Sequence, residues 1–233
     1  MDTFLGLAAE DWQALGFSIV VSSGAVCLSL PLGLALGWLL ARHTFPFKAA
    51  VETFLNLPLV LPPVVTGYLL LLLLGRRGLI GGWLARADIE VAFTPLAAML
   101  AGAVMGFPLM VRAIRLAFQG TDPRLYQAAR SLGAGPFDAF WSVSLPLARH
   151  GVIAGVVLAF ARGLGEFGAT LLFAGSLPGR RTTALQIYHL YGSPDTSAEG
   201  RMWCLVAASV GLACAALAAS EFLERRGARR ESA

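Results

Sequence analysis

The chain has 233 residues, of which 57% are hydrophobic and 14% charged, with a net charge of +4 and a mean hydropathy of +0.69. A soluble domain holds about 45–50% apolar and about 25% charged residues, so an ordinary water-soluble globule is excluded, as is a disordered chain, which needs the reverse balance. The composition is that of an integral membrane protein.

Taken in chain order, the apolar segments supply the roughly 20 residues that a spanning helix needs. No basic residue precedes Arg42 and no A-x-A site closes a short apolar core, so a cleaved signal peptide is not expected. The first predicted span runs over residues 15–41, with Trp12 as an interfacial anchor at its outer edge. The second runs over 51–74 and carries Pro58, Pro62, Pro63 and Gly67; the third runs over 93–118. The fourth, 147–175, is interrupted by glycines, and the fifth covers 202–223. Five spans are predicted, or six if the stretch 163–168 divides the fourth. All belong to one domain over 1–233, all-α and polytopic, with no appended domain expected in the roughly ten residues after the last span. Cys27, Cys204 and Cys214 lie in apolar stretches without paired spacing and read as small buried hydrophobes.

Orientation follows from Arg and Lys. Alternate connections collect Arg42, Lys48, Arg112, Arg115, Arg124, Arg130, Arg149, Arg225, Arg226, Arg229 and Arg230, eleven of the eighteen basic residues. The opposite side holds Arg76, Arg77, Arg86, Arg180, Arg181 and Arg201, while the N-terminal tail has only Asp2, Glu10 and Asp11. This places the N-terminus outside and the C-terminus in the cytoplasm. No basic run is dense enough for nucleic acid; membrane lipid is the expected neighbour.

Catalytic constellations are not found. The only lysine, Lys48, follows Phe47, so a phosphate-cradling Gly-Lys loop cannot be built. His43, His150 and His189 are far apart and form no metal-binding pair, and no G-x-S-x-G elbow occurs. No catalytic residue, metal site or cofactor is assigned to this chain. A membrane enzyme without a recognisable motif and a structural membrane anchor stand as the alternatives to a transport role.

The most informative stretch is 120–146. Thr121-Asp122-Pro123 supplies a cap followed by proline at a first helical position. Leu125, Ala128, Ala129 and Leu132 then recur at i, i+3, i+4 and i+7, an apolar stripe on a short helix that Gly133 ends. Pro136 starts a second short helix with Phe137, Phe140 and Trp141, and Leu145-Pro146 leads into the next span. Such a loop either lies on the bilayer as an amphipathic linker or receives another protein.

Gln127-Ala128-Ala129, Gly133, Val143 and Leu145-Pro146 match, in spacing, the E-A-A…G…I-x-L-P pattern of the permease subunits of bacterial ABC importers, with Gln for Glu and Val for Ile. The chain resembles that family. The resemblance implies a type I importer permease fold in the bacterial inner membrane, with this loop as a cytoplasmic coupling helix docking on a separate ATPase. It also implies a partner set: a second copy of the chain, two ABC ATPase subunits that carry ATP and Mg, and a periplasmic or extracellular oxyanion-binding protein. The stretches 57–68, 107–115 and 158–170 further resemble molybdate permeases, with tungstate and sulfate permeases as close relatives.

Two clusters are candidates for the pathway or gate. Pro62, Pro63, Thr66 and Gly67 break the second span, either as a packing kink or as a gate with freed backbone groups, since broken helices are tolerated where they line a cavity or lie within protein. Arg162 and Glu166, four residues apart, are expected on one helical face among Gly163, Gly165 and Gly168. Ionisable groups inside a span face the protein interior, here as an intrahelical ion pair or as pathway lining. A conduit must release its cargo, so contact with an oxyanion is expected to be weak. The stretch 177–201, with an amphipathic segment 184–191, is expected to form part of the landing surface for the binding protein, with Arg180 and Arg181 either contributing to that surface or, the favoured reading, snorkelling to the interface.

Overall fold

The computed structural model describes residues 6–176 and 179–231, and those residues hold helices only. In chain order they are α1 (Ala9–Arg42), α2 (Lys48–Val60), α3 (Pro63–Leu74), α4 (Gly81–Ala85), α5 (Pro95–Gln119), α6 (Pro123–Ser131), α7 (Pro136–Ala139), a π-helical turn (Phe140–Ser144), α8 (Leu145–Leu164), α9 (Gly168–Phe173), α10 (Thr183–Tyr191) and α11 (Thr196–Glu231). Asp2, Leu177 and the side chains of Arg225, Arg226, Arg229 and Arg230 lie outside the described residues.

Among the described residues, four helical stretches are long and apolar enough to cross a bilayer, Ala9–Arg42, Pro95–Gln119, Pro136–Leu164 and Ser197–Ala218, and α2 with α3, bent by 114°, makes a fifth if the pair counts as one span. The second predicted span is therefore two helices. Pro62 and Pro63 cannot continue the hydrogen-bond ladder of α2; the chain turns extended at Leu61 and Pro62, and Pro63 restarts it at a first helical position.

The first span begins earlier than hydropathy indicates because Asp11 stabilises its end. Its carboxylate accepts the Ala8 N–H at 2.9 Å and is fully buried. The third begins where Thr94 caps and Pro95 starts α5, the Thr94 hydroxyl accepting the Ala97 N–H. At the head of α11, Asp195 accepts the Ser197 N–H at 2.9 Å, and that bond holds its carboxyl below the usual value.

Lipid tails are as apolar as leucine, so close approach rather than water exclusion joins these helices. α1 runs parallel to α5, and α8 runs antiparallel to both. A Cβ at Gly24 would stand 2.6 Å from Met99 Sδ, and one at Gly106 would stand 3.0 Å from the Ala159 carbonyl oxygen. Val26, Met110, Ile114, Phe118, Ala148 and Ala159 fill the seam between the three helices.

The fourth predicted span is also redrawn. Its helix starts at α7, passes through the π turn and stops at Leu164. Leu145 N–H donates to the Phe140 carbonyl five residues back, so a widened turn absorbs Pro146 where the sequence suggested a boundary. Beyond Leu164 the chain breaks and resumes as the six-residue α9.

Candidate functional site

Two regions gather the residues that the sequence marks, one at each end of α8. At the end where α1 and α5 terminate, α6 projects from the bundle. Asp122 Oδ1 accepts the Arg124 N–H at 2.9 Å and caps it, and Pro123 occupies its first position. Its C-terminus closes by Leu132 N–H to Ala128 O at 3.0 Å and Ala134 N–H to Ala129 O at 3.1 Å. That closure puts Gly133 at φ +96°, a left-handed conformation that glycine adopts freely.

The predicted stripe divides. Ala129 turns partly inward, whereas Gln127 and Ala128 are exposed, Leu125 is 48% exposed and Leu132 is 89% exposed. No residue of α6 is buried. Leaving two leucines in water is unfavourable by about 25 cal/mol per Å² of apolar area, so the surface is suited to being covered by another body.

The loop is nonetheless tied to the bundle at points that the sequence reading missed. Trp38, near the end of α1, makes ring contacts with Tyr126 of α6 at 6.2 Å and Phe140 of the π turn at 5.9 Å. Arg42 donates to the Thr121 hydroxyl and, at 3.0 Å, to its carbonyl. Val143 and Leu145 are partly buried in and beside the π turn, with Pro146 exposed. The loop thus continues directly into α8.

At the other end of α8 lies the helix break. Arg162 and Glu166 do not share a helical face, because α8 ends between them. They pair all the same, Arg162 Nη1 donating to Glu166 Oε2 at 2.7 Å, while Glu166 Oε1 accepts the Ala169 N–H at 2.9 Å and so caps α9. Glu166 is 2% exposed, with Arg162 on its outer side. A buried carboxylate needs such partners, and the geometry uses both oxygens.

This break rests on the hinge of the bent pair. A Cβ on Gly168 would lie 3.0 Å from Pro63 Cβ, and one on Gly67 would lie 2.6 Å from Ala169 Cα. Pro63, Gly67, Gly168 and Ala169 are therefore in backbone contact, with Pro62 just before the crossing. Thr66 is buried there, and its hydroxyl has no hydrogen-bond partner among the described residues. Phe167, in the break, contacts Tyr188 of α10 with ring centres 5.2 Å apart.

Two arginines at this end of the bundle turn inward. Arg201 is an internal tie, its Nε and Nη2 donating to Asp11 at 2.8 and 2.9 Å, and Gln186 Nε2 donating to the same carboxylate at 3.0 Å. Arg181 reaches inward to Gln186 at 3.3 Å instead of snorkelling. Tyr188 and Tyr191 of α10 remain exposed on the surface that these contacts hold in place.

Comparison with known proteins adds to this geometry. Residues 31–229 match the family described as "Binding-protein-dependent transport system inner membrane component". The chain is 50% identical over 224 residues to the molybdenum transport system permease protein ModB of Escherichia coli (strain K12), covering 94% of this chain and 96% of that one. It is 42% identical to the protein of the same name from Haemophilus influenzae, over 92% and 93% of the two chains. Its fold is similar to a chain in the crystal structure of a bacterial alginate ABC transporter in complex with its alginate pentasaccharide-bound periplasmic protein. That match has a TM-score of 0.71 at 16% identity, over 94% of this chain and 80% of that one.

Proposed function

This chain belongs to the binding-protein-dependent transport system inner membrane components, and from that premise we propose that it carries molybdate. It is a multi-pass inner-membrane permease of an ABC importer. The observation that carries the cargo is the end-to-end identity with the Escherichia coli molybdenum permease.

Energy enters through α6. Two ATPase subunits, binding ATP and Mg, dock on Leu125, Gln127, Ala128 and Leu132, and the Gly133 elbow sets the angle of the docked surface. Motion passes through the Trp38–Phe140 contact and the π turn into α8. At the far end of α8 the Arg162–Glu166 pair and the α9 cap transmit it to the crossing of Gly168 with Pro63 and of Gly67 with Ala169, which acts as the gate. The pathway forms between two copies of the chain.

Outside, an oxyanion-binding protein lands on α10, whose Tyr188 contacts Phe167 in the same break. Docking and gating thereby share one side-chain contact. Cargo selection belongs to the binding protein, and the permease presents only weak sites, as release requires. The positive charge at the loop end supports a cytoplasmic position for that end, with the N-terminus outside.

Uptake of labelled molybdate into vesicles carrying the whole importer tests the cargo. Unlabelled molybdate and tungstate should compete and sulfate should compete poorly; competition by sulfate without competition by molybdate would overturn the assignment. Cysteine accessibility at Leu132→Cys and Tyr191→Cys from the two sides of intact cells tests the orientation.

A further inference from the structure

Between the end of α1, α2 and the last turns of α5 lies a cavity of about 230 Å³ that none of the steps above uses. Its polar groups are Glu52 and Asn56 of α2 and Arg112 and Arg115 of α5, with Leu40 and Val111 among the apolar walls. Glu52 Oε1 accepts from Arg115 Nη1 at 2.9 Å, and both side chains are about 30% exposed. Asn56 donates its side-chain N–H to the Glu52 carbonyl at 2.7 Å. Arg112 is exposed beside them, and the Nε of Arg115 is buried with no acceptor among the described residues.

These groups balance incompletely. Glu52 neutralises Arg115, so the lining keeps the charge of Arg112. An oxyanion in the cavity would meet the exposed Arg112 and the part of the Arg115 guanidinium that is not buried. Guanidinium forks match the oxygens of a tetrahedral anion. α2 has no buried residue, so this ion pair is among the few polar ties between its face and the bundle.

We propose that this cavity is an oxyanion subsite at the discharge end of the pathway, taking a free tetrahedral dianion between Arg112 and Arg115 as it leaves for the cytoplasm. The inference rests on the transport reading above for its direction, and on the cavity itself for its chemistry. The Glu52–Arg115 pair keeps the net charge of the lining at one positive unit, so the dianion is held loosely. That suits a site whose purpose is release.

The test is equilibrium binding of radiolabelled molybdate to the full-length chain in nanodiscs, with the binding protein left out. Saturable weak binding is expected, reduced about tenfold by Arg112→Gln, the loss of one charge-assisted contact. Arg115→Lys, which keeps a cation against Glu52 while removing the guanidinium fork, should weaken it by a smaller factor. Arg149→Gln, an exposed arginine at the same end, should leave binding unchanged. Absence of saturable binding, or equal losses in Arg112→Gln and Arg149→Gln, would overturn the subsite. So would exclusion of molybdate by anionic phosphatidylglycerol but not by neutral lipid, which would assign the cavity to a lipid phosphate. Wild-type uptake of molybdate alongside any of these results would sink the subsite alone. An importer that carries sulfate in place of molybdate would sink the cargo reading, while labelled sulfate binding lost in Arg112→Gln would still support the subsite.

Discussion

The two ends of α8 solve opposite problems. At one end α6 is held by local devices, an Asp122 cap, a glycine closure and a ring contact to Trp38, and keeps its apolar stripe in the open. At the other, α3 and α9 meet backbone to backbone, with Gly67 and Gly168 leaving no room even for a methyl group. The first surface stays open in the chain alone, whereas the second is complete within it. A transporter needs this asymmetry: one end that can be grasped, and one whose packing has only discrete alternatives because interiors are close-packed.

The sharpest way to break the comparison is at the closed end. Gly67→Leu would drive a side chain into the Ala169 backbone, and overpacking of this kind costs about 3 kcal/mol or more. Thermal unfolding in detergent should show a large loss of stability, and an unchanged melting temperature would mean that the crossing is looser than described. Next comes the elbow. Gly133→Asp has a left-handed conformation to support, at about 1–2 kcal/mol, in an exposed loop, so the protein should insert normally. ATP-driven uptake should nevertheless fall to background, and normal uptake would remove α6 from the coupling path.

Smaller effects separate the roles of single groups. Glu166→Gln keeps an acceptor for the Ala169 N–H but loses the charge facing Arg162, a change of about 2 kcal/mol; it should lower stability measurably and uptake partially. Equal stability of the two proteins would show that the pair is idle. Smallest for the chain itself is Leu132→Ala, expected within about 0.5 kcal/mol because the side chain touches little. Its effect should appear instead as roughly tenfold weaker association with the ATPase subunits, measured by titrating them onto the reconstituted permease.

The long helices were legible because a bilayer imposes length and apolarity on any segment that crosses it. The α6 cap, stripe and elbow were legible because their signals lie within a dozen residues. Other features depend on partners far along the chain. Pro62 and Pro63 announced a break, but its 114° angle belongs to the packing of α3 on α9. Asp11 and Arg201 are 190 positions apart, and Arg115 with Glu52 crosses two helices, so no periodicity exposes either pair. Pro146 was misleading for a different reason: proline normally marks a helix boundary, and only the π turn before it allows the rod to continue. Trp38 carried no signal beyond being an aromatic residue near a membrane edge.

That continuity has a mechanical consequence. From Pro136 to Leu164 the chain is one unbroken rod of 29 residues, about 43 Å long at a rise of about 1.5 Å per residue. A helix that continues through its π turn works as a lever arm. A rotation of about 10° at its foot, where a motor subunit would grip, sweeps its head through about 7 Å. Leverage would then turn a modest closure at its foot into a displacement at the helix break as wide as a small ion.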